Sequence, residues 1–158
     1  MAIFSPENLE IFGQLALATL LGALIGVERE LARKTAGMRT FSLVAMGSAM
    51  FTIISQAALS GFSGTGYDPS RIASQVVVGI GFIGAGLIIF NDQKLKGLTT
   101  AAGLWATASV GMAVGYGFYP VAIFATILII FILVFLWIFE HRLIKKLGKI
   151  AANADDED

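Results

Sequence analysis

The residues of this chain that could do chemistry are polar groups inside or at the ends of long apolar stretches. An unpaired polar group in an apolar environment is costly, so such residues are retained for pairing, binding or transport. We single out a set of carboxylates, guanidinium groups, hydroxyls and amides: Glu28, Arg29, Glu30, Arg39, Thr40, Asp68, Arg71, Gln75, Asn91 and Thr99. Their chemistry is ion pairing, hydrogen bonding and cation coordination.

Two pairings within this set are expected. Glu28 and Arg39 flank the first loop, and we expect them to interact. Arg71 and Gln75 are four residues apart, which places them on one face of a helix. These polar residues also have a structural explanation. Charges at helix ends anchor membrane spans, and Asp68 suits a helix N-cap.

Metal binding and catalysis are constrained by the residue types present. Mg²⁺ takes oxygen ligands and keeps much of its water, so one or two carboxylates suffice to hold it. Glu10 with Asp68, or Glu28 with Asp92, could supply them, but the sequence specifies no complete metal site. No cofactor is implied, and Mg²⁺ is the one ion we consider. The chain has no cysteine, no HExxH motif and no phosphate-binding loop, so we expect no enzymatic activity.

Five apolar stretches must position these residues, and each is close to the ~20 residues that a membrane-crossing helix needs. They cover residues 8–27, 41–60, 71–90, 98–117 and 119–139. They predict an all-α polytopic bundle of five transmembrane helices over residues 1–140. A short basic interfacial segment with an acidic tip is expected at 141–158. A kinked passage with a re-entrant piece is the alternative to splitting the last two stretches.

The basic residues predict the orientation of the bundle. Of the 11 Lys and Arg residues, all but Arg71 fall on the side of the first loop, the third connection and the C-terminal tail. The positive-inside rule then places the N-terminus outside and the C-terminus in the cytoplasm.

Small residues predict where helices approach each other, because lipid provides no hydrophobic drive for helix association. The predicted packing positions are Gly22, Gly26, Gly79, Gly81, Gly84, Gly103, Gly111 and Gly115. Tight packing within one monomer is one interpretation. The others are a homodimer face on the fourth span and a close-packed conduction path. We expect the lipid bilayer and a homo-oligomer, with a dimer favoured, as partners, besides a membrane protein partner and no nucleic acid.

Two long segments resemble the signatures of the MgtC/SapB family of bacterial membrane proteins. The first is GALIGVERELARKTAGMRTFSLVAMGSAMF. The second is DPSRIASQVVVGIGFIGAGLIIF followed by KGLTTAAGLWATASVGMAVGYG. The resemblance covers about residues 13–117. It implies an inner-membrane protein of four or five spans that is linked to growth and adaptation at low Mg²⁺.

The resemblance also implies roles that differ among family members. Some are thought to restrain the ATP synthase or to support survival inside host cells, and others are described as magnesium transporters. The virulence members carry Asn where this chain has Thr99, and they continue into a soluble C-terminal domain. Both departures favour a simpler, housekeeping-type member.

The sequence and the resemblance together are consistent with two functions. The first is a non-enzymatic regulatory membrane protein that affects Mg²⁺ homeostasis through helix contacts with itself or a partner. The second is a transporter or channel for Mg²⁺ or another small ion, favoured by the glycine-rich third span and the charges at its ends.

Overall fold

The computed structural model describes residues 5–59, 70–91, 94–139 and 142–143. Within them lie five helices: α1 (Pro6–Leu31), α2 (Met38–Leu59), α3 (Ser70–Leu87), α4 (Leu98–Gly115) and α5 (Tyr119–Phe131). A π-helical turn, Ile132–Leu136, extends α5, and helical backbone continues to residue 139. The predicted helical bundle with five helices is confirmed, and the orientation of the bundle in the membrane stays a prediction.

Four of the helices are long and apolar enough to cross a membrane. They are Pro6–Leu31, Met38–Ala57, Leu98–Gly115 and Tyr119–Phe139. The apolar part of α3, Ala73–Leu87, is shorter. A helix of 18 residues, the length of α3, still extends about 27 Å, close to the thickness of the hydrocarbon core.

The third predicted span differs from the structure at its end. We expected a helix to residue 90, but α3 ends at Leu87 and the chain forms a hairpin of β1 (Ile89–Asn91) and β2 (Lys94–Lys96). The strands are antiparallel, with Phe90 opposite Leu95. Gly97, at φ 93°, then packs so closely on Leu87 that a Cβ there would overlap its carbonyl oxygen. Since β-branched and aromatic residues favour strands, Ile89 and Phe90 leave the helix at this point.

The predicted split of the last apolar stretch is also confirmed. Helix α4 ends at Gly115, and α5 begins at Tyr119 with Pro120 in its first turn. Gly117 adopts φ 79° between them. Proline suits the first turn of a helix, and glycine accepts the left-handed conformation that reverses the chain.

The helices place their termini at two ends of the bundle. Helices α1 and α3 end, and α2 and α4 begin, at one end of the bundle, which we call the basic end. Helices α1, α3 and α5 begin at the other end, which we call the opposite end. One buried cluster lies toward the opposite end and includes Leu21, Val110 and Val114. The other lies toward the basic end and includes Ile25, Phe41 and Leu104. Helices α1, α2 and α4 form the centre of the bundle, and α3 packs on α4 and α2 at its side.

Glycines bring α1 and α4 into close contact with α2. A Cβ on Gly22 would lie 2.6 Å from the carbonyl oxygen of Phe41, and one on Gly111 would overlap the carbonyl oxygen of Ala45. Gly26 lies against Met38, Gly115 against Thr52, and Gly103 against the ring of Phe41; Gly84 of α3 meets Ala101 of α4 at ordinary contact distance. By contrast, a Cβ on Gly79 or Gly81 would meet nothing within 4 Å.

Candidate functional site at the basic end

A buried ion pair lies at the end of α1. The Arg29 side chain is 3% exposed, and its guanidinium donates from Nε and Nη2 to the carboxylate of Glu28, the Nη2–Oε1 distance being 2.6 Å. Glu28 is 17% exposed. A cation in the last turn of a helix also interacts favourably with the carbonyl end of the helix dipole. We expected Glu28 to pair with Arg39, but the adjacent Arg29 occupies both carboxylate oxygens and Arg39 is exposed.

Glu30 links the end of α1 to the start of α2 by a hydrogen bond. Its Oε2 accepts a hydrogen bond from the backbone N–H of Met38 at 3.1 Å. This N–H belongs to the first turn of α2, where backbone donors lack partners within the helix and a negative charge is favourable. Gly37 leaves room for the carboxylate, because a Cβ there would lie 2.8 Å from Oε2.

The turn after α1 places an arginine in a conformation that usually belongs to glycine. Arg33 has φ 53°, the one non-glycine residue with positive φ in the part of the chain that the structure describes. The N–H of Arg33 donates to Glu30 O and that of Lys34 donates to Arg29 O, at 3.0 and 2.9 Å. This is the Schellman pattern of helix termination, which normally favours glycine at the position of Arg33. The turn thus presents an exposed cation at a conformational cost.

Exposed cations cover the basic end. They come from the α1–α2 connection, from the first turn of α2 and from β2: Arg33, Lys34, Arg39, Lys94 and Lys96. Within the described ranges, the only ion pair is the buried one between Glu28 and Arg29. This end therefore presents net positive charge to whatever faces it.

The other predicted residues of this end are placed around that surface. Thr40 is half-buried at the mouth of a groove between α2 and α3, whereas Asn91 and Thr99 are exposed. Thr100, the neighbour of Thr99, is the buried threonine of this pair, at 2% exposed. The structure thus brings Glu28, Arg29 and Glu30 together with the start of α2. It leaves Arg39, Asn91 and Thr99 on the surface.

The opposite end carries a second group of polar residues. Gln14 donates from Nε2 to the hydroxyl of Tyr119 at 3.0 Å, and Gln56 donates to the carbonyl oxygen of Gly115 at 2.9 Å. These amides line a recess of about 330 Å³ together with Glu7 and Glu10. Arg71 and Gln75 are exposed on α3, while Asp68, like Asp92, falls outside the described residues.

Hydroxyl groups in the middle of the bundle bond within their own helices. Thr52, Thr107 and Thr126 are buried, and each donates to the carbonyl oxygen four residues earlier at 2.8 Å. Thr19 of α1 does the same at 2.7 Å. These hydroxyl protons are therefore committed within each helix.

Comparison with protein families agrees with this architecture. The model of the MgtC family matches residues 15–142, which cover most of the chain. The chain belongs to the MgtC family. With four helices long enough to span and this family assignment, it is a multi-pass membrane protein.

Relatives of this MgtC-family chain occur in several bacteria. It is 43% identical over 140 residues to the Escherichia coli K12 protein named "Putative magnesium transporter YhiD". It is 42% identical over 134 residues to an uncharacterized protein of Haemophilus influenzae, and 46% identical over 116 residues to protein MgtC of Salmonella typhimurium. These matches cover 87%, 82% and 73% of this chain.

The chain spans only part of each relative's length. The matches cover 65% of the Escherichia coli protein, 56% of the Haemophilus protein and 48% of the Salmonella protein. No solved structure matches this chain.

Sequence reasoning missed three features of the MgtC-family site. The Glu28–Arg29 pairing joins sequence neighbours, which helical periodicity alone places on different faces. The hydrogen bond from the Met38 N–H to Glu30 requires a glycine at position 37. That glycine was the sequence feature that could have indicated the contact. Lys94 and Lys96 lie on a strand, whereas hydropathy assigned these residues to a turn.

Among the described residues, no three His, Asp or Glu side chains lie close enough to hold a metal ion.

Proposed function

We propose that this MgtC-family chain is a non-enzymatic regulatory protein of the bacterial inner membrane that affects Mg²⁺ homeostasis and adaptation to low Mg²⁺. It acts through contacts of its helices with a second copy or with another membrane protein. The observation that carries this proposal is the closure of its core. Backbone meets backbone where α1 and α4 cross α2, because Gly22, Gly26 and Gly111 leave no room even for a methyl group.

A closed core opposes an ion path through the middle of one subunit. No Asp, Glu, Lys or Arg occurs in residues 11–27, 40–59, 72–91 or 97–139. Ion paths through membranes are normally lined by ionisable side chains or by unpaired carbonyl groups.

The exposed cations support a cytoplasmic location for the basic end. Arg33, Lys34, Arg39, Lys94 and Lys96 would then face the anionic inner leaflet, with each cation contributing about 1 kcal/mol near such a surface. Exposed basic groups at this end also suit an anionic surface of a protein partner. This orientation makes the recess near Glu7 and Glu10 an external feature.

The second candidate is a transporter of Mg²⁺ or another small ion. Two observations favour it: the name of the Escherichia coli relative and a groove of about 740 Å³ between α2 and α3. Thr40, Ser48 and Gln75 are the polar residues among those that line this groove. An ion path would have to run along this groove at the side of the bundle. A helix from another chain would have to cover the groove to close that path.

Mg²⁺ flux into proteoliposomes tests the choice between the two functions. The purified chain is reconstituted with a Mg²⁺-sensitive dye inside the vesicles, beside protein-free vesicles and the Gln75→Ala and Arg71→Ala variants. We expect flux equal to that of protein-free vesicles. Saturable flux that the variants lose would make the chain a transporter.

Growth at low Mg²⁺ tests the link to Mg²⁺ itself. Cells that lack this gene are expected to lag at low Mg²⁺ and to recover with the wild-type chain on a plasmid. Equal growth of both strains at every Mg²⁺ concentration would remove Mg²⁺ from the proposal, whatever the flux experiment gives.

A further inference from the structure

A groove of about 740 Å³ lies between α2 and α3 at the side of the bundle. Leu43, Phe51 and Phe82 line it and are themselves exposed, so the groove is open toward the surrounding bilayer. Its walls are apolar apart from two hydroxyls and the amide of Gln75. An open apolar groove on a membrane protein is filled either by lipid or by another apolar element.

The length of the groove distinguishes between these occupants. On α2 it runs from Thr40 to Phe51, a distance of about 17 Å at 1.5 Å per residue. On α3 it reaches back to Gln75, about 18 Å from the end of that helix at Leu87. Half of a ~30 Å hydrocarbon core is about 15 Å deep. The groove therefore starts at the basic end and has the depth of one leaflet, which suits an acyl chain better than a membrane-spanning helix.

Two glycines widen the groove at one level. Gly47 of α2 lies about 11 Å from Thr40, and Gly79 of α3 lies about 12 Å from Leu87, measured along each helix. A Cβ on either glycine would meet nothing within 4 Å. Contacts within the chain therefore leave this space open, and a larger side chain at either position would narrow it.

Exposed cations flank the mouth of the groove. Arg39 precedes Thr40 in the first turn of α2 and lies one turn before Leu43, at the rim of the groove. The chain that forms the other wall continues from α3 into the hairpin, where Lys94 and Lys96 are exposed. None of these three cations has an ion-pair partner among the residues that the structure describes. The mouth thus carries positive charge that the chain does not neutralise.

The hairpin indicates the level at which this mouth lies. Phe90 and Leu95 are opposite each other on the two strands, and they are 70% and 58% exposed. Lys94 and Lys96 flank Leu95 and so lie on the other face of the hairpin. Amphipathic elements with one apolar and one basic face lie at the membrane interface. The mouth of the groove is therefore at the level of the lipid phosphate groups.

The charge at the mouth selects among lipid headgroups. A zwitterionic headgroup carries its own cation and has no net attraction to Arg39 and the two lysines. An anionic headgroup is attracted to each of them, with a gain in binding of about fivefold for each cation near a membrane surface.

We propose that the groove between α2 and α3 is a binding site for one anionic phospholipid of the leaflet at the basic end. An acyl chain lies in the groove between Gly47 and Gly79, and the phosphate lies at the mouth beside Arg39. The inference requires only that the chain is embedded in a membrane. It is independent of any role in Mg²⁺ homeostasis and of which side of the membrane the basic end faces.

Native mass spectrometry tests the site. The purified full chain is stripped of lipid in detergent and incubated with equal amounts of phosphatidylglycerol and phosphatidylcholine that carry the same acyl chains. We expect one phosphatidylglycerol molecule to remain bound to each chain, favoured by about tenfold or more over phosphatidylcholine. Any additional lipid molecules should show no such preference.

One pair of variants tests the headgroup contact. Arg39→Gln removes a cation at the mouth and is expected to weaken the binding of phosphatidylglycerol by about fivefold. Arg33→Gln removes the same charge from the exposed turn after α1, a helix that does not line the groove. This control should bind phosphatidylglycerol as the wild type does.

A second pair of variants tests the acyl-chain contact. Gly79→Leu fills the groove and is expected to weaken binding by about tenfold or more, because at least two methylene groups of the lipid lose their place. Gly13→Leu is the control, since Gly13 also has nothing within 4 Å of a Cβ but lies on α1. It should leave binding unchanged. Thermal melts of both variants in detergent verify that they fold.

Four results would overturn the proposal. Equal retention of the two lipids would mean that the groove holds ordinary bilayer lipid without selecting it. Equal weakening by Arg39→Gln and Arg33→Gln would replace a defined site by diffuse charge attraction. Undiminished binding of phosphatidylglycerol to Gly79→Leu would place the lipid elsewhere. A dimeric mass without lipid would assign the groove to a second copy of the chain.

Discussion

The two sides of this bundle use glycine differently. In α1 and α4, Gly22, Gly26 and Gly111 lie where these helices cross α2, and a Cβ on any of them would overlap the neighbouring backbone. On the side of α3, Gly79, Gly81 and Gly86 have nothing within 4 Å of a Cβ. Helix packing within the chain explains Gly22, Gly26 and Gly111, whereas contacts within the chain do not require Gly79, Gly81 or Gly86.

The polar residues repeat this contrast. Arg29 and Thr107 are buried in the α1–α2–α4 part and have hydrogen-bond partners. Arg71 and Gln75 of α3 are exposed. Since membrane helices associate through small residues and polar contacts, the α3 side is suited to association with something outside the chain. Substitutions on the two sides should therefore have different consequences.

The largest effect is expected from Gly111→Ala. Its Cβ would overlap the Ala45 carbonyl, a backbone atom that moves only with the helix, so we expect a loss of about 3 kcal/mol or more in stability. Thermal unfolding in detergent, followed by fluorescence, measures it. A melting temperature equal to that of the wild type would contradict the close crossing of α4 and α2.

The next largest effect is expected from Glu28→Gln. It leaves the guanidinium of Arg29 buried without its counter-charge, which costs about 2–3 kcal/mol when the lost carboxylate is partly exposed. Arg39→Gln, on an exposed arginine, is the control and should change stability by less than about 0.5 kcal/mol. If both variants melted alike, the buried pair would contribute no more than a surface charge.

A smaller and opposite effect is expected from Arg33→Gly. Glycine adopts positive φ without the steric cost that arginine bears, so we expect a gain of about 1 kcal/mol in stability. Arg33→Ala retains the cost and removes the charge, which separates the two contributions. A melting temperature that falls for Arg33→Gly would mean that the side chain stabilises the turn by more than its strain.

The smallest effect is expected from Gly81→Ala on the α3 side. A Cβ there meets nothing within 4 Å, and alanine favours helix by about 0.5–1 kcal/mol over glycine. The monomer should be as stable as the wild type or slightly more so. A destabilised monomer would remove the contrast between the two sides.

Hydropathy and spacing predicted the helices of this chain well, because the span lengths and the break before Pro120 are local properties of the sequence. The end of α3 was predicted too late, since Ile89 and Phe90 are as apolar as the helix before them and differ only in pairing with β2. Composition alone could not separate the two kinds of glycine. Gly79 and Gly111 look alike in sequence, and only the position of α2 distinguishes them.

The sequence predicted which residues form the candidate site, but it predicted their contacts only in part. Glu28, Arg29 and Glu30 stand out as charges at the end of an apolar span. Which of them pairs with which depends on side-chain conformations and on the path of the connection through Gly37.

The central claim is that the α1–α2–α4 side folds the chain while the α3 side carries its function. Gly79 on α3 and Gly13 on α1 both have nothing within 4 Å of a Cβ, so a larger side chain fits at either position within the chain. The most direct test is growth at low Mg²⁺ of cells that lack this gene and carry Gly79→Leu or Gly13→Leu on a plasmid. With equal protein levels in the membrane, we expect Gly13→Leu to restore growth and Gly79→Leu to fail. Full restoration of growth by Gly79→Leu would contradict the claim.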